Sequence, residues 1–298
     1  MGERFKVVEV GPRDGLQNES QPLAAAVKIE LIERLADSGL RVIEAASFVS
    51  PKWVPQMADA EAVLDGIRAR DDVSCPVLVP NLQGLVRARE AGVREIAVFT
   101  AASDAFTRKN INASVDESLA RLAPVIEQAL AAGLKVRGYV STALGCPYQG
   151  EVAVAEVVRV TRALVTLGCY EISLGDTIGV GTPLKARAML MSCADAVGMD
   201  KLAVHFHDTR GQALANVFAC VEAGVRAADA SVSGLGGCPY AQGASGNLAT
   251  EDLVYMLHGM GFDTGVDLPK LVATSRWISA QLQRPPASKL ACQAKTVA

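Results

Sequence analysis

Two of the three histidines in this 298-residue chain stand in Lys201 to Asp208, KLAVHFHD. Read as a β-strand, the segment places His205 and His207 on one face and Val204 and Phe206 on the other. Two imidazoles one strand period apart, beside a carboxylate, make half of a metal site; two buried, hydrogen-bonded histidines in a sheet are the competing reading. Other polar residues fall at comparable places. Arg13-Asp14 follows the first β-branched run, Glu44 lies inside the second, and Asp176-Thr177 closes the sixth. Cys238 and Asn247 lie in a loop beyond the last.

Asp14, His205, His207 and Asn247 together offer a carboxylate, two imidazoles and an amide oxygen. A mixed O/N set without thiolates suits Mg²⁺, Mn²⁺ or a similar divalent ion better than structural zinc. Asp14 beside glycine could instead close an Asx turn, and Asn247, just before Leu248 and four residues from Glu251, could cap a helix. Arg13 could serve an oxyanion that develops beside the metal, or only a surface salt bridge. Glu44 inside a strand is costly to bury unpaired, so pairing with Arg13 is expected. Five glycines between positions 234 and 246 surround Cys238, which suggests a lid or close-approach loop with a candidate acid/base or nucleophile at its centre. The other six cysteines read as small core residues in strands or apolar helices.

The elements that must position these groups recur in a fixed order. Short β-branched runs at 6–10, 41–47, 74–79, 94–100, 135–142, 170–176, 201–208 and 227–234 are each followed by an Ala/Leu/Glu/Arg-rich helical pattern. The helices are predicted near 23–37, 55–70, 82–91, 114–132, 153–167, 184–197, 212–223 and 248–260. Gly39, Gly92, Gly133, Gly168 and Gly224 each stand where a helix should end, and glycine there adopts the left-handed conformation without penalty. Eight βα units predict a (β/α)8 TIM barrel over 1–260 with its chemistry at the C-terminal ends of the strands. Residues 261–298, with a helix near 268–282, read as a C-terminal helical extension covering the barrel. An open doubly wound sheet would need a Gly-rich fingerprint after the first strand, and Gly11-Pro12-Arg13-Asp14-Gly15 is not GxGxxG.

Half of the residues are hydrophobic but only 5% aromatic, which predicts an aliphatic core. With 29 basic against 32 acidic residues and no block of like charge, neither nucleic acid nor a membrane surface is an expected partner. No apolar run approaches a membrane span. Seven scattered cysteines without a CxxC pair argue against a disulfide framework and for a reducing compartment. A strand pattern beginning at Lys6 leaves no room for a signal or transit peptide, and the chain ends Lys295-Thr296-Val297-Ala298 without an SKL-like tail, so a cytoplasmic location is expected.

GPRDGLQNE at 11–19, SLGDTIGVGTP at 173–183, HFHDTRGQALAN at 205–216 and SVSGLGGCPYAQGASGNLATED at 231–252 together resemble the 3-hydroxy-3-methylglutaryl-CoA lyase family. The Arg-Asp-Gly and His-x-His elements are shared with a wider superfamily of metal-dependent TIM-barrel lyases and Claisen-type synthases; the Ser231 to Tyr240 loop is more specific. The resemblance implies cleavage of 3-hydroxy-3-methylglutaryl-CoA to acetoacetate and acetyl-CoA, an acyl-CoA substrate, a homodimer, and a place in leucine degradation and ketone-body metabolism. It implies Asp14, His205, His207 and Asn247 as ligands of Mg²⁺ or Mn²⁺, Arg13 as donor to the enolate oxygen, and Cys238 as the mobile acid/base, with Asp14 or a histidine such as His205 as the alternatives to Cys238 for taking the hydroxyl proton. It also implies that Glu44 orients Arg13 and the metal site and that Asp176, with Thr177 beside it, lines the substrate pocket. Thr107-Arg108-Lys109-Asn110 matches the family and is the expected landing place for the CoA phosphates, a solvated loop being the alternative. Cys292 lies near a regulatory cysteine of the animal forms, but out of register. Related readings are a condensing synthase of the isopropylmalate, homocitrate or citramalate type, or a lyase for a related 3-hydroxyacyl-CoA. A synthase of that kind has an Asp-x-Thr-Leu-Arg-Asp-Gly opening and a large regulatory domain; this chain has Val10-Gly11-Pro12-Arg13-Asp14-Gly15. A barrel that only binds CoA esters would not need Arg13, two histidines and Cys238 in one pocket.

Overall fold

A computed structural model describes residues 2–19, 21–68, 70–236 and 246–293. Its strands form one parallel sheet: β1 (Lys6–Glu9), β2 (Val42–Ile43), β3 (Ala46–Ser47), β4 (Val77–Leu78), β5 (Glu95–Ala101), β6 (Lys135–Ser141), β7 (Glu171–Asp176), β8 (Leu202–Phe206) and β9 (Ala227–Ala230). Their order is β2-β1-β9-β8-β7-β6-β5-β4-β3. β2 and β3 are two halves of one strand. Glu44 N donates to Glu9 O at 2.8 Å on one side, Ala45 N to Pro76 O at 2.9 Å on the other, so this strand closes the sheet into an eight-stranded barrel.

The ten helices among the described residues are α1 (Ala25–Asp37), α2 (Ala60–Gly66), α3 (Leu82–Glu90), α4 (Asp104–Ile111), α5 (Val115–Ala131), α6 (Val154–Leu167), α7 (Pro183–Val197), α8 (Ala213–Glu222), α9 (Thr250–Gly259) and α10 (Leu268–Gln281). Each buries one stripe, such as Val157, Val160, Thr161 and Leu164 of α6. The stripes meet the outward side chains of the sheet, Ile172, Leu174, Val204 and Phe206 among them, in one aliphatic core. Local chemistry sets the ends. Ser114 and Glu117 form a reciprocal capping box on α5, and Gly39, Gly92, Gly133, Gly168 and Gly224 all have positive φ at helix ends, as expected.

Several boundaries differ from expectation. The predicted 55–70 helix is a 3-10 turn (Pro55–Met57) followed by the short α2, which ends where Ile67 turns extended after Gly66. The 201–208 strand is Leu202–Phe206, preceded by a 3-10 turn at Met199–Lys201, and the 227–234 strand stops at Ala230 before a 3-10 turn at Val232–Gly234. Thr107 to Asn110 are not a loop: they lie within α4, which Ser103 caps by accepting from Phe106 N at 3.1 Å. The cysteines are also less uniform than expected. Cys193 and Cys220 lie in α7 and α8, but Cys75, Cys146 and Cys169 sit in connections and Cys292 is exposed.

The barrel lumen is not an aliphatic plug. Arg137 on β6, 1% exposed, reaches Asp229 on β9 although β7 and β8 lie between them in the sheet, a contact possible only across the interior. Glu171 accepts from both Arg137 and Lys6, extending this charged layer toward the N-terminal end of the barrel. A small apolar cluster of Leu78, Ala97 and Tyr139 fills other space within the sheet.

Candidate active site

Arg13 and Asp14 occupy a π-helical turn, Gly11–Gly15, directly after β1, with Pro12 supplying a preset φ at its start. The turn is held down by Glu9, a buried carboxylate that accepts from Gly11 N at 2.7 Å, Val232 N at 2.8 Å and Thr250 Oγ1 at 2.7 Å. Arg13 is buried. Its Nε donates to Glu44 Oε2 at 2.8 Å, Nη2 lies 2.6 Å from the same oxygen, and Nη1 donates to Asp14 Oδ1 at 2.6 Å. Tyr139 OH donates to Glu44 Oε2 at 3.2 Å, bracing the pair from β6. The expected Arg13–Glu44 pairing is therefore present, and no surface salt bridge is involved.

Asp14, His205 and His207 each place one donor atom within 4.8 Å of the others. His205 Nε2 stands 3.8 Å from Asp14 Oδ2, and the two imidazole centroids are 5.5 Å apart. Burial pushes the Asp14 carboxyl up, but Arg13 and then the two histidines outweigh it and hold it at about 2. Burial, reinforced by His205, takes His207 down to about 4, so its ring is neutral near pH 7. Burial likewise opposes a charge on His205, yet the hydrogen bond and charge of Asp229 raise it. Burial raises Glu44 despite the opposing Arg13.

A divalent cation fits this set. His207 Nδ1 is buried without a hydrogen-bond partner, a costly condition for an imidazole nitrogen. The ionised Asp14 carboxylate and the neutral His207 ring, with donor atoms within 4.8 Å of each other, bring together lone pairs that a cation reconciles. Hard oxygen with imidazole nitrogen suits Mg²⁺ or Mn²⁺.

Asn247 joins the cluster, but by its amide nitrogen, which donates to Asp14 Oδ2 at 2.8 Å and to Leu235 O at 3.2 Å. It does not cap a helix, since α9 begins at Thr250 after Ala249. Asp176 is buried with both oxygens engaged by the following loop, Val180 N at 3.1 Å and Gly181 N at 2.8 Å. Its link to the cluster is its backbone carbonyl, which accepts from His207 N at 3.3 Å. Thr177 Oγ1 accepts from Thr142 N at 2.8 Å. Arg108, Lys109 and Asn110 are exposed on the last turn of α4. Cys238 lies outside the described residues.

Tyr139, Arg137 and Asp229 were not singled out by sequence. The signal was available: all three are polar residues on predicted strands, and the reasoning that flagged Glu44 applies equally to them.

The profile of the HMGL-like family matches residues 4–278. Over 288 residues the chain is 57% identical to the mitochondrial hydroxymethylglutaryl-CoA lyase of Gallus gallus, covering 97% of each. Among solved structures, the Pseudomonas aeruginosa hydroxymethylglutaryl-CoA lyase superposes with a TM-score of 0.96 at 52% identity, covering 98% of this chain and 97% of that one. The A. baumannii HMG-CoA lyase, solved in complex with coenzyme A and 3-methylmalate, gives 0.93 at 38% identity, covering 99% and 96%. With the barrel and its Arg13–Asp14–His205–His207 cluster in place, these matches establish that the chain belongs to the HMGL-like family, among its hydroxymethylglutaryl-CoA lyases.

Proposed function

We propose that the protein is a divalent-metal-dependent carbon–carbon lyase that cleaves 3-hydroxy-3-methylglutaryl-CoA to acetoacetate and acetyl-CoA. What carries the reading is the meeting, in one cluster of a chain of this family, of a buried guanidinium with a carboxylate and two imidazoles. The retro-Claisen step removes the proton of the 3-hydroxyl, turns that carbon into the ketone of acetoacetate, and sends the electrons of the broken C2–C3 bond into the thioester enolate. A proton returned to C2 completes acetyl-CoA. The reaction thus needs a base, a stabiliser for the enolate oxygen and an acid.

Asp14, His205 and His207 would hold Mg²⁺ or Mn²⁺, with Asn247 as a fourth ligand once its amide turns its oxygen inward. When bound, the ion supplies Lewis-acid polarisation of the substrate oxygens. Of the five N–H groups of Arg13, three serve Glu44 and Asp14, leaving two for the enolate oxygen. Glu44 and Tyr139 fix the guanidinium so that no reorganisation is needed as charge develops. Cys238 is proposed as the acid/base, on its place in the Gly-rich loop of the sequence. Asp176 and Thr177 line the substrate pocket, and Arg108, Lys109 and Asn110 receive the CoA phosphates.

No helix among the described residues is long and apolar enough to cross a membrane. A cytoplasmic location and a place in leucine degradation belong to the proposal. So does a homodimer, for which exposed Leu184 and Met191 on α7 and Phe218 on α8 supply apolar surface.

The test is product formation from 3-hydroxy-3-methylglutaryl-CoA with Mg²⁺ or Mn²⁺, against EDTA and a His205→Ala variant. Acetoacetate from the metal-loaded wild type alone supports the reading. Release of free CoA from acetyl-CoA and a 2-oxo acid, without acetoacetate, moves the chain to the synthases.

A further inference from the structure

Asp229 sits in the lumen on β9, 2% exposed, surrounded by donors from other strands. Arg137 of β6 grips both oxygens, Nη2 to Oδ1 at 2.7 Å and Nη1 to Oδ2 at 3.1 Å. Ser173 of β7 donates to Oδ2 at 2.7 Å, and His205 Nδ1 on β8 stands 3.1 Å from that same oxygen. The β8–β9 register pairs His205 with Asp229 directly, so the contact follows from the strand alignment and not from a chance rotamer.

A carboxylate forked by a guanidinium is ionised and can only accept. His205 Nδ1 must then carry the hydrogen, and a neutral imidazole so protonated has its lone pair on Nε2. That is the atom facing Asp14 Oδ2 at 3.8 Å. Glu171 accepts from Arg137 Nε at 2.7 Å but is shared with Lys6, so Asp229 also balances charge in this layer. Beyond that balance, Asp229 supplies a fixed acceptor beneath His205.

We propose that Asp229 is a positioning residue which, clamped by Arg137 and Ser173, holds His205 in the Nδ1–H tautomer and turns Nε2 toward Asp14 and His207. The role deepens, and rests on, the metal-site reading above. Orienting partners of this kind are worth roughly 10- to 100-fold in metal affinity.

The tautomer is read in metal-free, ¹⁵N-labelled protein, above the imidazole titration range, by two-bond ¹H–¹⁵N correlations. With three histidines in the chain, single His→Gln variants assign each signal. Wild-type His205 is expected as Nδ1–H. In Asp229→Asn the amide can donate to Nδ1, and His205 should move toward Nε2–H while Mn²⁺ binding weakens roughly 10- to 100-fold. Glu171→Gln, which breaks the other side of Arg137, should lower stability and leave tautomer and Mn²⁺ affinity in place. A wild-type His205 found as Nε2–H overturns the proposal, and needs no variant to fold. An Asp229→Asn protein with unchanged tautomer and Mn²⁺ affinity overturns it too. Wild type that binds no Mn²⁺ overturns the metal-site reading and this role with it; wild type that binds Mn²⁺ but leaves 3-hydroxy-3-methylglutaryl-CoA intact overturns the substrate alone.

Discussion

Arg13 and Glu44 share a single oxygen: Nε donates to Glu44 Oε2 at 2.8 Å and Nη2 approaches that oxygen at 2.6 Å, while Glu44 Oε1 is buried with no hydrogen-bond partner. A buried pair so lopsided holds a guanidinium in place more than it stabilises the fold. Its removal leaves an uncompensated charge. Glu44→Ala is expected to cost about 3 kcal/mol in denaturant unfolding, at the low end for a broken buried pair because Asp14 still accepts from Arg13, and to reduce kcat far more than it raises KM. Unchanged kcat would remove Glu44 from the site.

Metal binding should be visible as stability. A ligand present at about 100 times its Kd adds about 2.7 kcal/mol to unfolding, so Mn²⁺ should raise the Tm of wild type and EDTA should reverse it. His207→Ala and Asp14→Asn should abolish the shift. A Mn²⁺-dependent shift that survives in both variants would place the ion elsewhere.

Gly236 has φ +101°, and a Cβ there would stand 2.8 Å from Asn247 Nδ2. Gly236→Ala therefore both strains the backbone and displaces the amide beside Asp14. The expected result is a loss of about 1 kcal/mol or more in stability with weakened Mn²⁺ binding by titration calorimetry. Wild-type Mn²⁺ affinity in this variant would separate Asn247 from the ligand set.

Two buried carboxylates outside the Asp14–His205–His207 cluster give a stability profile its slope. Burial raises Glu9 to about 7 and Glu251 to about 8 against hydrogen bonds that oppose the shift. Between the unfolded value of 4.5 and these folded values the native state keeps protons that the unfolded chain has lost. Their contribution is therefore fully present below the unfolded value and is lost as pH rises to about 7 and about 8, by at most about 1.4 kcal/mol per pH unit for each group. Glu9→Gln, whose amide can still accept from Gly11 and Val232 and donate to Thr250, should fold and flatten the lower part of the slope in urea titrations across that range. An identical slope would mean that Glu9 is ionised when buried.

Exposed Arg108 and Lys109 on α4 test the CoA site. Replacing both with alanine should raise KM for the acyl-CoA and leave kcat near its original value, since the phosphates lie away from the breaking bond. Unaltered KM would move the phosphates elsewhere.

The repeating βα pattern, the terminating glycines and the residues Asp14, His205 and His207 that the barrel clusters were legible in the chain because each rests on local chemistry. A strand period puts two histidines on one face, a left-handed helix end calls for glycine, and a lone inward Glu44 demands a cation. The α4 helix was missed because its eight residues, largely polar, lack an apolar period long enough to distinguish them from a loop; Ser103 capping and packing of Phe106 hold them helical. The partnership of Asp229 with His205, and of Arg137 with both Asp229 and Glu171, joins residues up to 92 positions apart across the lumen. Sequence could mark these side chains as polar and inward. Only closure of the barrel, which sets strand register and so decides which inward groups touch, could say that one carboxylate would grip an arginine and aim a histidine.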